Sequence, residues 1–234
     1  MSDPGLIDRY GWRLGFAALD GVVGLGEGRT PLVSAEVLLA PSGYRGELYF
    51  HLDFVAPHGS YRDRGAAVAV SAAKRDRRSA IAPRFDDERS RAVVSAYAAR
   101  AGVSILAVGD DAAGAEALTL DESSETWRAG LATSAWDVFD QLGGRAPEHH
   151  YCASLELVRA LGEGYAALRR EGCASSVPRL ELASATPSER GHAALLRLGV
   201  PATATRAAAV EAVLAALDEQ RFQAPEAVVL SLPE

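Results

Sequence analysis

The sequence of 234 residues has a globular composition, with 48% hydrophobic and 24% charged residues. Its net charge of −7 predicts no nucleic-acid partner, and no apolar run approaches the roughly 20 residues that a membrane span needs. Residues Met1–Pro4 contain neither a basic nor an apolar stretch, so we expect no signal peptide and a cytoplasmic location. Two cysteines, Cys152 and Cys173, are too few and too far apart for a zinc site or a disulfide scaffold.

Short runs typical of strands alternate with longer runs typical of helices. This alternation predicts an α/β fold with a largely parallel sheet. The segments Lys74–Ser90 and Ala112–Glu125 are polar and irregular, and they predict solvated connections. In chain order we predict strands at Val37–Leu39 and Glu47–Phe54, helices at Arg64–Lys74 and Glu88–Ala101, a strand at Val103–Val108, a helix at Glu125–Leu142, a strand at His149–Cys152, a helix at Leu155–Glu171, a strand at Arg179–Ala183, helices at Ser188–Leu198 and Ala207–Arg221, and a strand at Ala227–Leu232.

Glycines mark the ends of two predicted helices. Gly102 follows an apolar stripe and is typical of the residue that closes a helix in the left-handed conformation. Gly143-Gly144 ends the next predicted helix. The stripe formed by Trp136, Phe139 and Leu142 recurs at helical spacing and predicts a core-facing side.

Three segments carry a resemblance to a known family. Residues 25–32 read LGEGRTPL, residues 57–66 read PHGSYRDRGA, and residues 95–102 read SAYAARAG. The first is similar to the GEGNTPL segment of threonine synthases, the second to NPTGSFKDRGA, and the third to the helix after the SSGNAG loop. The match to GSxKDRG is the specific one. The chain therefore resembles the threonine synthase-like family of fold-type-II pyridoxal-phosphate (PLP) enzymes.

The resemblance implies a fold and a division into lobes. We expect a three-layer parallel-sheet fold like that of the tryptophan synthase beta-like enzymes. Residues 1–60 and 127–234 would form the larger lobe, and residues 61–126 the smaller one. Family chains are longer, and the missing length falls mainly between Ala112 and Trp127, so we expect the smaller lobe to be reduced.

The position of the PLP lysine holds a different residue here. The lysine of GSFKDRG matches Arg62, and a guanidinium stays protonated and cannot form an imine with the cofactor aldehyde. The single lysine of the sequence, Lys74, lies 12 residues further on, which is roughly 18 Å along a helix. Lys74 is therefore a poor replacement.

Other cofactor features are also missing. The family's phosphate loop falls at His149–Leu155, which contains no glycine to let the backbone approach a phosphate. The SSGNAG loop falls near Phe85–Arg89, which carries three acids. Ser231 is the candidate for the hydroxyl that faces the pyridine nitrogen in the family. We predict that PLP binding is lost and that no cofactor is used.

A polar turn at the start of the predicted helix 64–74 supplies the candidate site. A helix N-terminus attracts anions, and Arg62 could bind one in a bidentate manner. The alternative is that Asp63 and Arg64 are structural residues that pair within the fold. The catalytic candidates are His58, Tyr61, Arg62 and Asp63, and the candidates for binding a small anionic ligand are Ser60, Arg62 and Arg64.

Three further features are weaker candidates. His149 and His150 are adjacent on a predicted strand and face opposite ways, so we expect no metal site. Cys152 could be a nucleophile with a histidine as base, but a buried and inert thiol is the preferred interpretation. The turn Gly26–Gly28 lacks the strand–turn–helix context of a nucleotide loop.

Two hypotheses about function remain. The first is a PLP-independent pseudoenzyme that acts through a homodimer or through a heteromer with a related enzyme, because members of the family are commonly dimers. The second is a repurposed, lyase-like or transferase-like enzyme that uses the inherited cleft on a small anionic or amino-acid-derived substrate. We favour the first.

Overall fold

Helices and strands alternate along most of the chain, as the hydrophobic pattern predicts. The structure is a computed structural model that describes residues 5–16, 21–107 and 116–233. The elements in chain order are α1 (Leu6–Tyr10), β1 (Leu32–Ser34), β2 (Glu47–His51), α2 (Arg62–Arg75), β3 (Ala80–Pro83), α3 (Glu88–Ala101), β4 (Ser104–Ile105), β5 (Ala117–Leu120), α4 (Glu125–Gln141), β6 (His149–Cys152), α5 (Leu155–Arg170), β7 (Arg179–Leu182), α6 (Glu189–Arg197), α7 (Ala204–Asp218) and β8 (Ala227–Ser231), with single turns of 3-10 helix at Glu36–Leu38, Ala40–Ser42 and Asp53–Val55.

The chain divides into two compact units. The first unit comprises Met1–Arg29 and Ala56–Ser134, and the second comprises Thr30–Val55 and Ala135–Glu234. Helix α4 contributes to both units, because the division falls after Ser134.

This division differs from the predicted lobes mainly at the N-terminus. The prediction grouped residues 1–29 with the larger lobe, whereas the structure groups them with the first unit. The reason lies in long-range contacts of the first motif. The side chain of Arg64 donates to the carbonyl of Gly28 at 3.1 Å, and the hydroxyl of Tyr97 donates to Glu27 at 2.8 Å.

The first unit contains a three-stranded parallel sheet in the order β4-β3-β5. Strand β3 is buried along its whole length. Helices α2 and α4 approach each other closely in this unit. A Cβ on Gly65 would lie 2.7 Å from the indole of Trp127, and one on Gly130 would lie 2.3 Å from the carbonyl oxygen of Arg64. The glycines are therefore required for the contact between these helices.

The second unit contains a five-stranded sheet in the order β1-β2-β8-β6-β7. Strand β1 pairs antiparallel with β2, and the other neighbours pair in parallel. Parallel pairing aligns the carboxyl ends of β2, β8 and β6, so His51, Ser231 and Cys152 lie in register. In open parallel sheets this edge is where ligands bind.

The five-stranded sheet is covered on both faces. Phe50 and Leu230 belong to a core cluster with residues of α6 and α7. Val229, on the opposite face of β8, packs with Val138 of α4 and with Leu142, the residue that follows α4. Burying each of these side chains contributes about 1.5–3 kcal/mol. The second unit therefore has three layers of helix, sheet and helix.

Several predicted elements are confirmed. Strand β6 and helix α3 have the predicted bounds. Gly102 adopts the left-handed conformation with a φ of 70° and closes α3. The stripe of Trp136, Phe139 and Leu142 is buried.

The predicted strand Val37–Leu39 is wrong. Residues 36–38 form a turn of 3-10 helix, and the strand that pairs antiparallel with β2 is β1, a few residues earlier. Three apolar residues in a row have no periodicity of their own. The tertiary environment decides their conformation, and it buries Leu38 and Leu39 while leaving Val37 exposed.

The two predicted connections each contain a strand. Lys74–Ser90 includes β3, and Ala112–Glu125 includes β5. Each strand has only four residues between polar flanks, so its apolar run is too short to stand out. Residues 108–115 lie outside the described residues, as does the end of the predicted strand Val103–Val108. Among the described residues, no helix is both long and apolar enough to cross a membrane.

Candidate functional site

The turn before α2 holds the candidate residues in the first unit. Gly59 has a φ of 70°, which favours glycine, and the hydroxyl of Ser60 accepts a hydrogen bond from the backbone N–H of Arg62 at 3.2 Å. Asp63 lies in the first helical turn, where its negative charge is stabilised by the helix dipole. The residues are therefore positioned by the start of the helix.

His58 and Asp63 form a close acid–base pair. Nδ1 of His58 lies 2.6 Å from Oδ1 of Asp63, and the backbone N–H of His58 donates to Oδ2 of Asp63 at 3.0 Å. The His58 side chain is 33% exposed, whereas Asp63 is fully buried. Because the carboxylate engages Nδ1, a proton transfer to or from this imidazole would use Nε2.

A buried hydrogen-bonded group lies beside this pair, because the rings of Tyr97 and His58 are 5.9 Å apart. The hydroxyl of Tyr97 donates to Oε2 of Glu27 at 2.8 Å, and the N–H of Leu25 donates to the same oxygen at 2.7 Å. Burial raises the pKa of Tyr97, and the charges of Glu27 and Asp63 raise it further. Tyr97 therefore stays protonated and acts as a donor.

The pKa of Glu27 is also raised. Burial is the main cause, the hydrogen bonds from Leu25 and Tyr97 oppose it, and the charge of Asp63 adds to it. Glu27 and Tyr97 were not among the predicted site residues. The GEG motif was a signal for Glu27, whereas only the fold brings Tyr97 beside it.

The guanidinium of Arg62 is held by neighbours within the first unit. Its Nε donates to Oγ of Ser90 at 2.9 Å and lies 3.7 Å from Oδ1 of Asp87. Its Cζ stacks 4.7 Å from the ring centre of Tyr61. The side chain is only 18% exposed. Arg62 therefore joins the start of α2 to the start of α3.

Asp87 is the N-cap of α3. Its side chain accepts a hydrogen bond from the N–H of Ser90 at 2.8 Å. Burial raises the pKa of Asp87, but the hydrogen bonds from Ser90 and the positive charge of Arg62 outweigh it, so the pKa is lowered. The segment aligned with the family's SSGNAG loop therefore places a carboxylate at the helix start.

Arg64 is buried, and its contacts join separate segments of the first unit. Its Nη1 donates to the hydroxyl of Thr133 at 3.2 Å, and its Nη2 donates to the carbonyl of Gly28 at 3.1 Å. The first unit thus brings together all six predicted residues of the turn, with Arg64 in the interior and part of His58 at the surface.

The second unit has a separate polar cluster at the carboxyl ends of its strands. Nδ1 of His51 lies 3.2 Å from Asp53, and its Nε2 lies 3.6 Å from Asp137. All three side chains are buried. Burial lowers the pKa of His51, but the two carboxylates outweigh burial and raise it. Among the described residues, neither carboxylate oxygen of Asp53 has a hydrogen-bond partner of good geometry.

His150 continues this cluster in a neutral form. Its Nδ1 lies 3.0 Å from the hydroxyl of Tyr165, and its Nε2 lies 3.0 Å from Oγ of Ser231. Burial lowers the pKa of His150 to about 3, with a contribution from the charge of His51. The hydroxyl of Ser231 therefore already has a partner within its own unit.

Sequence reasoning found only part of this cluster. Ser231 was singled out, but His51, Asp53 and Asp137 were missed. The spacing of His51 and Asp53 was the available signal, because residues two apart on an extended chain face the same side. Asp137 comes from a distant helix.

The other predicted features have clear positions. Cys152 is buried, and burial raises the pKa of its thiol to about 12, as expected for an inert cysteine.

His149 and His150 face opposite sides of the sheet, because His149 contacts Phe222 and His150 contacts Tyr165. Within the described ranges, no group of three or more His, Cys, Asp or Glu side chains could hold a metal ion.

Comparison with known proteins gives two sequence relatives. No protein-family model matches the chain. Threonine synthases from Synechocystis sp. and Halalkalibacterium halodurans are each 34% identical, over 107 and 104 residues. The aligned parts cover 46% and 44% of this chain and 28% of each threonine synthase, so the chain matches under a third of its relatives' length. These matches confirm the resemblance that the motifs predict.

A solved structure confirms the fold class. A fungal L-serine ammonia-lyase from Rhizomucor miehei aligns with a TM-score of 0.60 and covers 88% of this chain and 93% of its own. The two sequences are 14% identical, so the likeness concerns the fold alone. The chain has the α/β fold with parallel sheets of the fold-type-II PLP enzymes. The loss of the cofactor stays a prediction.

Proposed function

We propose that this chain is a PLP-independent relative of the threonine synthases and that it acts by binding a partner protein rather than by catalysis. The state of Arg62 carries the proposal. Arg62 stands where the family has its PLP lysine, and its guanidinium is bonded to Ser90 and lies beside Asp87. A side chain held in this way fills the position and stabilises the first unit.

The chemistry of Arg62 does not fit PLP. The cofactor is held through an imine with a lysine amine, and a guanidinium stays protonated near neutral pH. Lys74 is at the opposite end of α2 from Arg62, roughly 18 Å away by helical rise, and it is exposed. Neither residue therefore supports attachment of the cofactor.

The start of α5 supports the same conclusion. The family's phosphate loop aligns with residues 149–155, where Ser154 is the N-cap of α5 and accepts a hydrogen bond from the N–H of Leu157. One N–H group at this helix end is thus bonded by the helix's own N-cap side chain. The segment has no glycine, so its backbone has no position that favours close approach of a phosphate.

The test of this proposal is spectroscopic. The purified protein is incubated with PLP and dialysed, and the absorption of a bound imine is measured before and after borohydride treatment. We expect no such absorption in the wild type. Arg62→Lys restores the family's lysine, and we expect it to remain colourless because the phosphate side is also missing. Lys74→Ala controls for attachment at the single lysine.

Two results would contradict the proposal in different ways. A retained band in the wild type that borohydride removes would show that the protein binds PLP. A band that appears only in Arg62→Lys would mean that the loss rests on one substitution and that the remaining pocket is intact.

Partner binding is tested by measuring association directly. The second unit has apolar side chains at its surface, and Leu155, Leu182 and Leu196 are between 49% and 69% exposed. Light scattering at micromolar concentration measures self-association, and a clean monomer with no affinity for a threonine synthase of the same organism would count against this part of the proposal.

A second function is favoured by the pair of His58 and Asp63. A buried carboxylate 2.6 Å from a partly exposed imidazole is a common arrangement for general acid–base catalysis. The candidate is a PLP-independent reaction on a small anionic or amino-acid-derived substrate. This alternative explains why the imidazole is both held by Asp63 and partly exposed. A purely structural role would not require the exposure.

The two functions are separated by ligand binding. Thermal melting is measured with L-serine, L-threonine and inorganic phosphate, in the wild type and in His58→Gln. A rise in melting temperature that is lost in His58→Gln would favour the catalytic alternative. We expect no ligand to raise the melting temperature.

A further inference from the structure

Strand β7 is an open edge of the five-stranded sheet. It pairs with β6 on one side, and no described strand lies on its other side. The Arg179 side chain is 71% exposed, and Leu182 is 49% exposed. Open edges present unpaired backbone groups that can pair with another strand.

The backbone of β7 shows which groups point outward. The N–H of Arg179 donates to the carbonyl of Glu148, the residue before β6, and the N–H of Ala183 donates to the carbonyl of Cys152 in β6, each at 2.8 Å. Successive residues of a strand direct their backbone groups to alternate sides. The N–H and C=O groups of Leu180 and Leu182 therefore face away from the sheet.

We propose that β7 pairs antiparallel with β7 of a second copy of this chain, about a two-fold axis at Leu180. The two five-stranded sheets would then form one continuous sheet. This inference rests on the proposed function, because it identifies the partner as a second copy and assigns the surface.

Charge selects the register of this pairing. With Leu180 opposite Leu180, the Arg179 of each copy lies directly across from the Glu181 of the other. Opposite charges across a strand pair stabilise it, and like charges destabilise it. A shift by one step along the edge would place Leu180 opposite Leu182 and would bring the two Glu181 side chains face to face. The first register is therefore favoured.

Glu181 belongs to an ion-pair group within its own chain. Its carboxylate lies 3.4 Å from Arg179 and 3.2 Å from Arg221. An arginine from the second copy would extend this group.

Hydrogen bonds limit the strength and size of the assembly. The two Leu180 residues exchange two hydrogen bonds, and each Leu182 N–H reaches the carbonyl of Pro178 in the other copy. Pro178 has no N–H to return, so the pairing stays short. A two-fold contact also uses the same edge on both copies, so assembly stops at a dimer.

Charge reversal tests the proposal. The variants Arg179→Glu and Glu181→Arg each place like charges opposite each other, and we expect each to weaken the dimer by at least about tenfold in Kd. An equimolar mixture of the two variants restores both opposite-charge pairs, so the mixture should form a heterodimer. The double variant, Arg179→Glu with Glu181→Arg, should dimerise like the wild type. Sedimentation velocity over micromolar concentrations measures all four.

Controls keep the test valid if one variant folds poorly. Glu181→Arg changes a residue with contacts in its own chain, so circular dichroism and thermal melting are measured for every variant. If it does not fold, Arg179→Glu and Arg179→Lys carry the test, because Arg179 is mostly exposed and lysine keeps its charge. We expect Arg179→Lys to remain dimeric.

Three results would overturn the inference. These are a monomeric wild type, a dimer that Arg179→Glu leaves unchanged, and a mixture of folded single variants that does not associate. A dimer insensitive to Arg179→Glu would reject β7 as the surface while leaving self-association in place. If the protein does bind PLP, a separate measurement detects it, namely the absorption band of the bound cofactor. The two proposals therefore fail in distinguishable ways.

Discussion

Replacing Arg62 with alanine tests whether this residue stabilises the fold or binds a ligand. The change removes the hydrogen bond from Nε to Ser90 at 2.9 Å and the 3.7 Å ion contact with Asp87. A hydrogen bond to a charged group contributes about 1.5–3 kcal/mol. Asp87 is 40% exposed, so solvent screens the ion contact and it adds little. We expect the free energy of unfolding of the first unit to fall by about 1–2 kcal/mol.

Urea denaturation followed by circular dichroism measures this loss. Arg100→Ala is a matched control, because Arg100 lies in the last turn of α3 and is exposed. We expect the control to change the free energy of unfolding by less than about 0.5 kcal/mol. The partner contact should survive in both variants, and it is measured in parallel by sedimentation.

The opposite pattern would refute this reasoning. If Arg62→Ala unfolds like the wild type but no longer complements a deletion of the gene, then Arg62 acts on a ligand and not on the fold. The preference for partner binding would then be reversed in favour of the inherited site.

Three further predictions concern the core of each unit. Burial lowers the pKa of His150 to about 3 from an ordinary value of 6.5, so only the unfolded chain takes up this proton as pH falls from about 6.5. Stability should therefore fall with decreasing pH by up to about 1.4 kcal/mol per unit from this group, and His150→Asn should show a flatter pH dependence in urea titrations between pH 6 and 4. Gly65→Ala should lower the melting temperature, because a Cβ there would lie 2.7 Å from Trp127 and overpacking costs about 1–3 kcal/mol. Gly162→Ala is its control, since a Cβ there meets only a methyl at 3.4 Å, and a melting temperature equal for both variants would contradict the packing argument. The thiol of Cys152, whose pKa burial raises to about 12, should resist alkylation at pH 8 until urea unfolds the protein, and peptide mass spectrometry would detect any earlier reaction.

Local chemistry along the chain was sufficient to predict much of the fold and part of the site. Gly102 closes α3 because a left-handed residue after a helix favours glycine, and this depends only on neighbouring residues. The apolar stripe of α3 recurs at helical spacing, which likewise depends only on nearby residues. The substitution at Arg62 was also readable from the motif alone, because the chemistry of a guanidinium does not depend on its surroundings.

Tertiary structure alone decided which distant side chains meet. Tyr97 reaches Glu27 across 70 positions, and Thr30 donates its N–H to Asp137 across 107. No periodic pattern encodes such pairs, because periodicity reports which side of an element is buried and not what it is buried against. The same limit explains β3, whose four residues are a strand only because neighbouring strands on both sides complete their hydrogen bonds. The sequence by itself therefore determined the fold class and the presence of arginine at the position of the family's PLP lysine. Long-range packing decided that this residue, Arg62, is held by Ser90.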